Sequence, residues 1–272
     1  MKNITTDERK IMKLRFKTWI ELDFNWAPNG TIPCTKGCLF DDFFANIHTE
    51  SVGQGGSWEK SVADADEIKF LYEKLGEFES PVMLDIGANT GSFCLLPSVN
   101  PKIKCYAFEP TPWIFDLLKI NISLNDLQDQ VELFQIALTE KNGTAILKCP
   151  AEGDNKGHIN ICNSGLSCLG KPMRFDSWIE IEVPTRTLDS IVADKDIKHV
   201  DIMKIDVEGC ELFVLKGAEK LIKEQHPGIL IDATDNTQQF SYDKADISEL
   251  LQSWGYENKV EVVKGSYYLW SD

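Results

Sequence analysis

Basic residues are the scarce class in this chain. Twenty-eight lysines and arginines stand against 43 aspartates and glutamates, a formal charge of −15. Binding nucleic acid without regard to sequence depends on neutralising phosphates with Lys and Arg, so no nucleic-acid partner is expected. An anionic membrane surface is disfavoured for the same reason. Long apolar runs are missing as well. No stretch approaches the ~18 residues of a membrane-spanning helix, and Met1–Arg15 is charged throughout, without the apolar core of a signal peptide. A cytoplasmic location with no membrane partner is the expectation. Paired cysteine clusters are also lacking. The eight cysteines are scattered, and Cys34-Thr-Lys-Gly-Cys38 with His48 is at most half of a zinc site, so free thiols and no metal are expected.

What is present suits a folded core. Hydrophobic residues make up 43% and charged residues 26% of the 272 positions, enough apolar surface to bury and too little charge for wholesale disorder. Residues 1–57 read as an N-terminal extension, helical through Trp26 and then loop-rich from Ala27 to Ser57, where glycine and proline break the pattern. A helix from Ala63 to Leu75 leads into the second unit, 58–272.

There the rhythm becomes strand–helix–strand. Val82–Ile86, Lys104–Glu109, Val131–Ala137, Val200–Asp206 and Gly228–Ala233 read as strands, with Thr144–Cys149 as an extension of the third. Helices are expected from Phe93 to Pro97, Thr111 to Leu124, Cys210 to Lys223 and Lys244 to Trp254. The chain closes with Asn258–Val263, a Lys264-Gly265 turn and Ser266–Trp270, an antiparallel hairpin. This alternation is that of an α/β, doubly wound, mostly parallel sheet with helices on both faces. Residues 150–180 interrupt it. Pro150 to Trp178 reads as a structureless, cap-like insertion facing substrate or solvent.

The strongest chemical signal is Val82-Met-Leu-Asp-Ile-Gly-Ala-Asn-Thr-Gly91, an apolar strand running into a glycine-bearing turn. In a doubly wound sheet the ligand crevice lies beyond the carboxyl ends of the strands, and Gly87 and Gly91 allow the backbone to approach a ligand closely. A dinucleotide fingerprint would place glycine where Asp85 stands. A carboxylate there repels pyrophosphate and suits a cation. S-adenosylmethionine fits, carrying a sulfonium and an ammonium but no phosphate. Glu109, 24 positions after Asp85 at the end of the next strand, suits two ribose hydroxyls. An NAD-dependent Rossmann oxidoreductase and a non-catalytic S-adenosylmethionine-binding protein are the alternatives.

Leu84-Asp-Ile-Gly-Ala-Asn-Thr-Gly91, Ala107-Phe-Glu-Pro-Thr-Pro112, Asn121 with Leu124-Asn125, Thr187-Leu-Asp189 and Lys204-Ile-Asp-Val-Glu-Gly-Cys-Glu-Leu-Phe-Val-Leu-Lys-Gly-Ala218 together resemble the FkbM family of S-adenosylmethionine-dependent methyltransferases over about residues 55 to 235. The resemblance implies a seven-stranded Rossmann-like sheet and O-methylation of a small molecule or sugar. It implies that Asp85, Gly87, Ala88, Asn89 and Gly91 line the methionine end of the cofactor. Glu109 would then take the ribose, Pro110 the adenine side, and Ile136 and Ala137 the adenine itself. Glu59, in Trp58-Glu59, matches a short element that reaches the cofactor. Asp206 is assigned to cofactor or substrate contact, and Glu208 to substrate contact or to capping the helix near Gly209. A positioned base helps a weakly nucleophilic hydroxyl, and among the four histidines His158, within the insertion, is the candidate; Asn160, Ser164 and Ser167 are possible substrate contacts. Asp232 stands where many relatives carry Glu.

Overall fold

The computed structural model describes residues 65–98, 100–153, 159–161, 167–170, 177–232 and 240–271. The N-terminal extension 1–57, Glu59, the start of the helix expected from Ala63, His158 and Ser164 lie outside the described residues.

Helix α1 (Ala65–Leu75) buries Ile68, Leu71 and Leu75, one helical stripe. As expected it ends at Gly76, whose N–H donates to Tyr72 O. Strand β1 (Val82–Ile86) is buried at every position, the pattern of a central parallel strand covered on both faces. The expected helix before Pro97 is a 3₁₀ helix, Phe93–Ser98, with Pro97 inside it. Then come β2 (Lys104–Phe108) and α2 (Pro112–Leu124), the latter entered through Thr111 with its proline in the first turn, where the missing N–H costs nothing.

Beyond α2 the structure corrects several expectations. Val131–Ala137 is not one strand. β3 (Val131–Phe134) pairs with β2, and after Gln135-Ile136 the chain crosses to a second sheet as β4 (Ala137–Leu138). Thr144–Cys149 does not extend the third strand either. It lies within β5 (Gly143–Gly153), which pairs antiparallel with β7 (Trp178–Arg186) along eight positions and with β6 (Ile159–Ile161). The two ends of the segment read as structureless are therefore strand. The Ile179-Glu-Ile-Glu-Val183 alternation has the period of a half-buried strand, and its apolar side packs on Trp113, Ile114 and Leu117 of α2.

Helix α3 (Leu188–Asp194) is capped by Thr187, whose Oγ1 accepts from Ser190 N. It precedes β8 (Ile202–Ile205). The single helix expected over Cys210–Lys223 is two: α4 (Glu211–Lys216) and α5 (Glu219–Gln225). They part at Gly217, where a Cβ would fall 2.1 Å from Thr139 O, so the backbone bends at a contact no side chain permits. Asp189 caps α5 by accepting from the N–H groups of Lys220 and Leu221. β9 (Gly228–Asp232), α6 (Lys244–Ser253, capped by Asp243) and the hairpin β10 (Asn258–Val263) and β11 (Ser266–Trp270) follow.

The main sheet has the order β10-β11-β9-β8-β1-β2-β3, parallel except for the β11 and β10 hairpin. The chain steps outward from β1 to β3 and returns to β8 on the other side of β1, so the topological reversal lies between β1 and β8. One face packs Leu84, Met203 and Ile229 under α3 to α6; the other packs Met83, Cys105 and Ile202 under α1, the 3₁₀ helix and α2. The described cysteines are free thiols. No described helix is long and apolar enough to cross a membrane.

Candidate active site

Three loops leave the carboxyl ends of β1, β2 and β8 at the reversal, and backbone bonds tie them together. The N–H groups of Gly87 and Ala88 both donate to Phe108 O, at 3.0 and 2.9 Å, and Asp206 N donates to Ile86 O at 3.0 Å. Gly87 has φ +79, and a Cβ there would fall 1.8 Å from Asp206 O. Only glycine satisfies both the left-handed backbone and that approach.

Glu109 organises the opening of the cleft. Its Oε2 accepts from Asn89 N at 3.0 Å and its Oε1 from Thr111 N at 2.8 Å, so one carboxylate joins the β1 loop to the start of α2. Burial pushes its carboxyl up, and the Thr111 and Asn89 bonds pull it back. Each oxygen keeps a lone pair for a ligand hydroxyl.

Asp85 is completely buried and sits beneath the β1 loop instead of on the cleft lining. Cys94 Sγ donates to its Oδ2 at 3.1 Å, and Lys204 Nζ lies 3.7 Å from Oδ1. Burial raises the Asp85 carboxyl, chiefly opposed by Lys204. The same ammonium donates to Gly87 O at 3.2 Å and to Asp206 Oδ2 at 3.4 Å. Lys204 thus links the buried aspartate to both loops.

The β8 loop has its own buried organiser, Glu211. Its Oε1 accepts from Gly209 N at 2.9 Å and from Val207 N at 3.3 Å, while Tyr242 OH donates to Gly209 O at 2.5 Å. Burial pushes the Glu211 carboxyl up to about 7, with the loop N–H groups opposing. These bonds hold Glu208 in a left-handed conformation at φ 54, facing the cleft. The loop-capping carboxylate is therefore Glu211, and Glu208 stands on the lining.

The cleft encloses about 640 Å³, part of it open to solvent. Of the residues assigned from sequence, the structure gathers Gly87, Asn89, Glu109, Pro110, Ile136, Ala137, Asp206 and Glu208 on its walls, together with Ser167. Asp85, Ala88 and Gly91 lie behind that surface. Gly91 has φ +98 and packs against Leu118 of α2. Ile136, Ala137 and Leu138 form an apolar wall, and Leu147 and Leu169, from the second sheet and the strand-like segment bridged to it at Lys148, cover it. Sequence reasoning missed Lys204 and Glu211 as site organisers, although both stand in the quoted Lys204–Ala218 stretch. Buried charges so close to a ligand turn were the available signal.

The lining carries three carboxylates, Glu109, Asp206 and Glu208, and no lysine, arginine or histidine among the described residues. Phosphate groups would find no counter-charge there, whereas a sulfonium and an ammonium would be stabilised. Asn89 Oδ1 is buried on this wall with no hydrogen-bond partner among the described residues, an acceptor fit for a ligand ammonium. S-adenosylmethionine fits this set on both counts. No described group of His, Cys, Asp and Glu has the arrangement of a metal site.

Comparison with known proteins agrees with this chemistry. The model of the methyltransferase FkbM domain matches residues 85–257. Methyltransferase sdnD of Sordaria araneosa is 28% identical over 198 residues, covering 65% of this chain and 74% of its own. The 2-O-methyltransferase NoeI of Sinorhizobium fredii is 30% identical over 164 residues, with 57% and 63% covered. The hexuronic acid methyltransferase AglP of Haloferax volcanii is 28% identical over 240 residues, with 86% and 88% covered. Among solved structures, methyltransferase FkbM from Methylobacillus flagellatus covers 86% of this chain and 62% of its own at 16% identity and a TM-score of 0.45. With the family model spanning most of the chain over a cleft built for a cationic cofactor, the chain belongs to the FkbM family of methyltransferases and is an enzyme that uses S-adenosylmethionine.

Proposed function

We propose that the protein methylates a hydroxyl oxygen of a small molecule or a sugar. The observation that carries this reading is the cleft at the β1/β8 reversal, lined by carboxylates and by no basic side chain among the described residues. The relatives named 2-O-methyltransferase, 31-O-demethyl-FK506 methyltransferase and hexuronic acid methyltransferase support the hydroxyl and the sugar. When bound, the cofactor supplies a sulfonium methyl open to in-line attack.

The chain's own residues then divide the work. Glu109 receives the ribose hydroxyls through the lone pairs left by Asn89 and Thr111. Gly87 and Asn89 line the methionine end, with Asp85 as the buried charge beneath them. Pro110, Ile136 and Ala137 enclose the base from the apolar side. Asp206 and Glu208 stand at the mouth of the β8 loop to align the acceptor, and alignment with exclusion of water supplies most of the acceleration in a displacement of this kind. In this reading residues 150–180 and 1–57 carry acceptor specificity, Glu59 reaches the cofactor, and His158 is the candidate base within the insertion.

Calorimetry with S-adenosylmethionine and S-adenosylhomocysteine tests it, followed by mass detection of methyl gain on hydroxylated metabolites and glycosides. Glu109→Ala is expected to weaken cofactor binding by about 100-fold or more, the loss of two hydrogen bonds to a charged group. A folded protein that ignores both ligands would overturn the reading.

A further inference from the structure

A second, smaller pocket of about 260 Å³ opens on the far side of Asp206. Its walls include Glu67 from α1, Phe93 from the 3₁₀ helix, Lys204 and Asp206 from the end of β8, Asp232 from the end of β9 and Ser266 from the start of β11. Asp206 lines both this pocket and the cofactor cleft, so the two spaces share a wall.

Strand register explains the gathering. Lys204 pairs with Leu230 and Ile205 with Ile231, so Asp206 and Asp232 come next on adjacent parallel strands, roughly 4.8 Å apart. Asp232 directly opposes Ser266 across the antiparallel pair. Side chains alternate along a strand, so Asp85, Lys204, Asp206 and Asp232 fall on one face of the sheet, the face that α1 and the 3₁₀ helix cover.

We infer that this pocket receives the acceptor hydroxyl and that Asp232 is the general base that takes its proton. The inference rests on the O-methylation reading above and places the base on the scaffold instead of at His158. The step balances as a displacement. The acceptor oxygen gives up its proton to the Asp232 carboxylate and forms the O–C bond as the C–S bond breaks; the C–S electron pair stays on sulfur, leaving S-adenosylhomocysteine, methyl ether and a neutral carboxylic acid.

The two carboxylates differ in readiness for this role. Asp206 is already engaged by the Lys204 ammonium at 3.4 Å. No described group donates a hydrogen bond to Asp232. Burial pushes its carboxyl up to about 7, reinforced by the charges of Asp206, Glu67 and Glu211 and opposed by Lys204. A base with that affinity is about half ionised at neutral pH and holds a proton well, the balance that general-base catalysis favours. The charge census also selects the acceptor. Three carboxylates face one lysine already engaged with Gly87 O, Asp206 and the Phe93 ring, whose centroid is 4.9 Å away. An anionic acceptor is repelled there, and a neutral polyol or glycoside offers hydroxyls that carboxylates accept.

The test compares wild type, Asp232→Asn and Asp232→Glu on a panel of neutral methyl pyranosides and the matching uronates. Asp232→Asn is expected to keep its affinity for S-adenosylmethionine within about threefold by calorimetry while losing on the order of 100-fold or more in kcat. Asp232→Glu recovers part of that loss. In wild type, kcat/KM climbs tenfold per pH unit up to about 7, and in Asp232→Asn this limb is absent. Carbon-13 NMR of the cofactor-free protein should show the Asp232 carboxyl titrating near 7, independently of turnover. Neutral pyranosides are the better acceptors by at least about tenfold, the size of a misplaced charge. An Asn variant with over a third of wild-type kcat and an unchanged acid limb overturns the base assignment alone, as does a carboxyl that titrates in the ordinary range. Preference for the uronates overturns the acceptor class. Wild type that binds S-adenosylmethionine but transfers the methyl to nitrogen or carbon only overturns the O-methylation reading itself, and this inference with it.

Discussion

Glu211 is a buried carboxylate whose charge works against the fold, and replacing it by glutamine should reveal how much. It is 0% exposed, its Oε1 accepts from Gly209 N and Val207 N, and Tyr242 OH stands 3.4 Å from Oε2. Burial moves its carboxyl from 4.5 to about 7. An acid whose folded value lies above its unfolded value binds more protons when folded, so it favours the fold most below about pH 4.5, and that advantage disappears as pH rises through about 7. At about 1.4 kcal/mol per unit, the full cost is about 3 kcal/mol, of which about 2 falls between pH 5 and pH 8. Glutamine is isosteric. Its oxygen can still accept from the two loop N–H groups, and its amide can donate toward the Tyr242 oxygen. Urea unfolding at a series of pH values should therefore show Glu211→Gln gaining about 2 kcal/mol on wild type between pH 5 and pH 8. Asp85 tilts both proteins alike and cancels in the difference, whereas Asp232, whose carboxyl the Glu211 charge helps to raise, adds to it in the same direction. A difference that does not change with pH would refute the reasoning. A variant weaker than wild type at every pH would show that both carboxylate oxygens are required to hold the β8 loop.

Two further perturbations test the cofactor loops. Lys204→Met strands the buried Asp85 charge and should cost about 3–5 kcal/mol in urea unfolding; adding Asp85→Asn should recover most of it, and a single variant as stable as wild type would show that the pair contributes nothing. Gly87→Ala brings a Cβ within 1.8 Å of Asp206 O at φ +79, whereas Gly255→Ala has φ +93 and nothing within 4 Å. Gly255→Ala should cost only the backbone term of about 1–2 kcal/mol, and Gly87→Ala should lower stability further and weaken S-adenosylmethionine binding by at least about tenfold, measured by calorimetry. Equal effects at the two glycines would refute the close approach.

Much of the fold was legible in the chain because its signals are local. The buried run Val82–Ile86, the helix ending at Gly76 and the Lys264-Gly265 hairpin each carry their own period or turn chemistry within about ten residues. Where local pattern left the outcome to a distant contact, expectation and structure part. Gly217, where α4 ends, must be glycine because a Cβ there would fall 2.1 Å from Thr139 O. Gln135-Ile136 carries the chain from one sheet to another because Thr185 and Arg186 pair with Ala137 and Leu138. Neither partner is visible from the segment itself.

The site divides in the same way. The sequence by itself determined the glycine turn after β1, the acids at Asp85, Glu109, Asp206 and Glu208, and a crevice suited to a cationic cofactor, since residue identity and position at a strand end are properties of the chain. Only the tertiary structure decided which acids face the ligand. It set Asp85 beneath the loop against Lys204, gave Glu211 the β8 loop to hold, and brought Asp232 beside Asp206 and Ser266. The physical reason is that the charge and basicity of a carboxylate depend on its burial and on neighbours within a few ångströms, and in a parallel sheet those neighbours come from strands far apart in sequence.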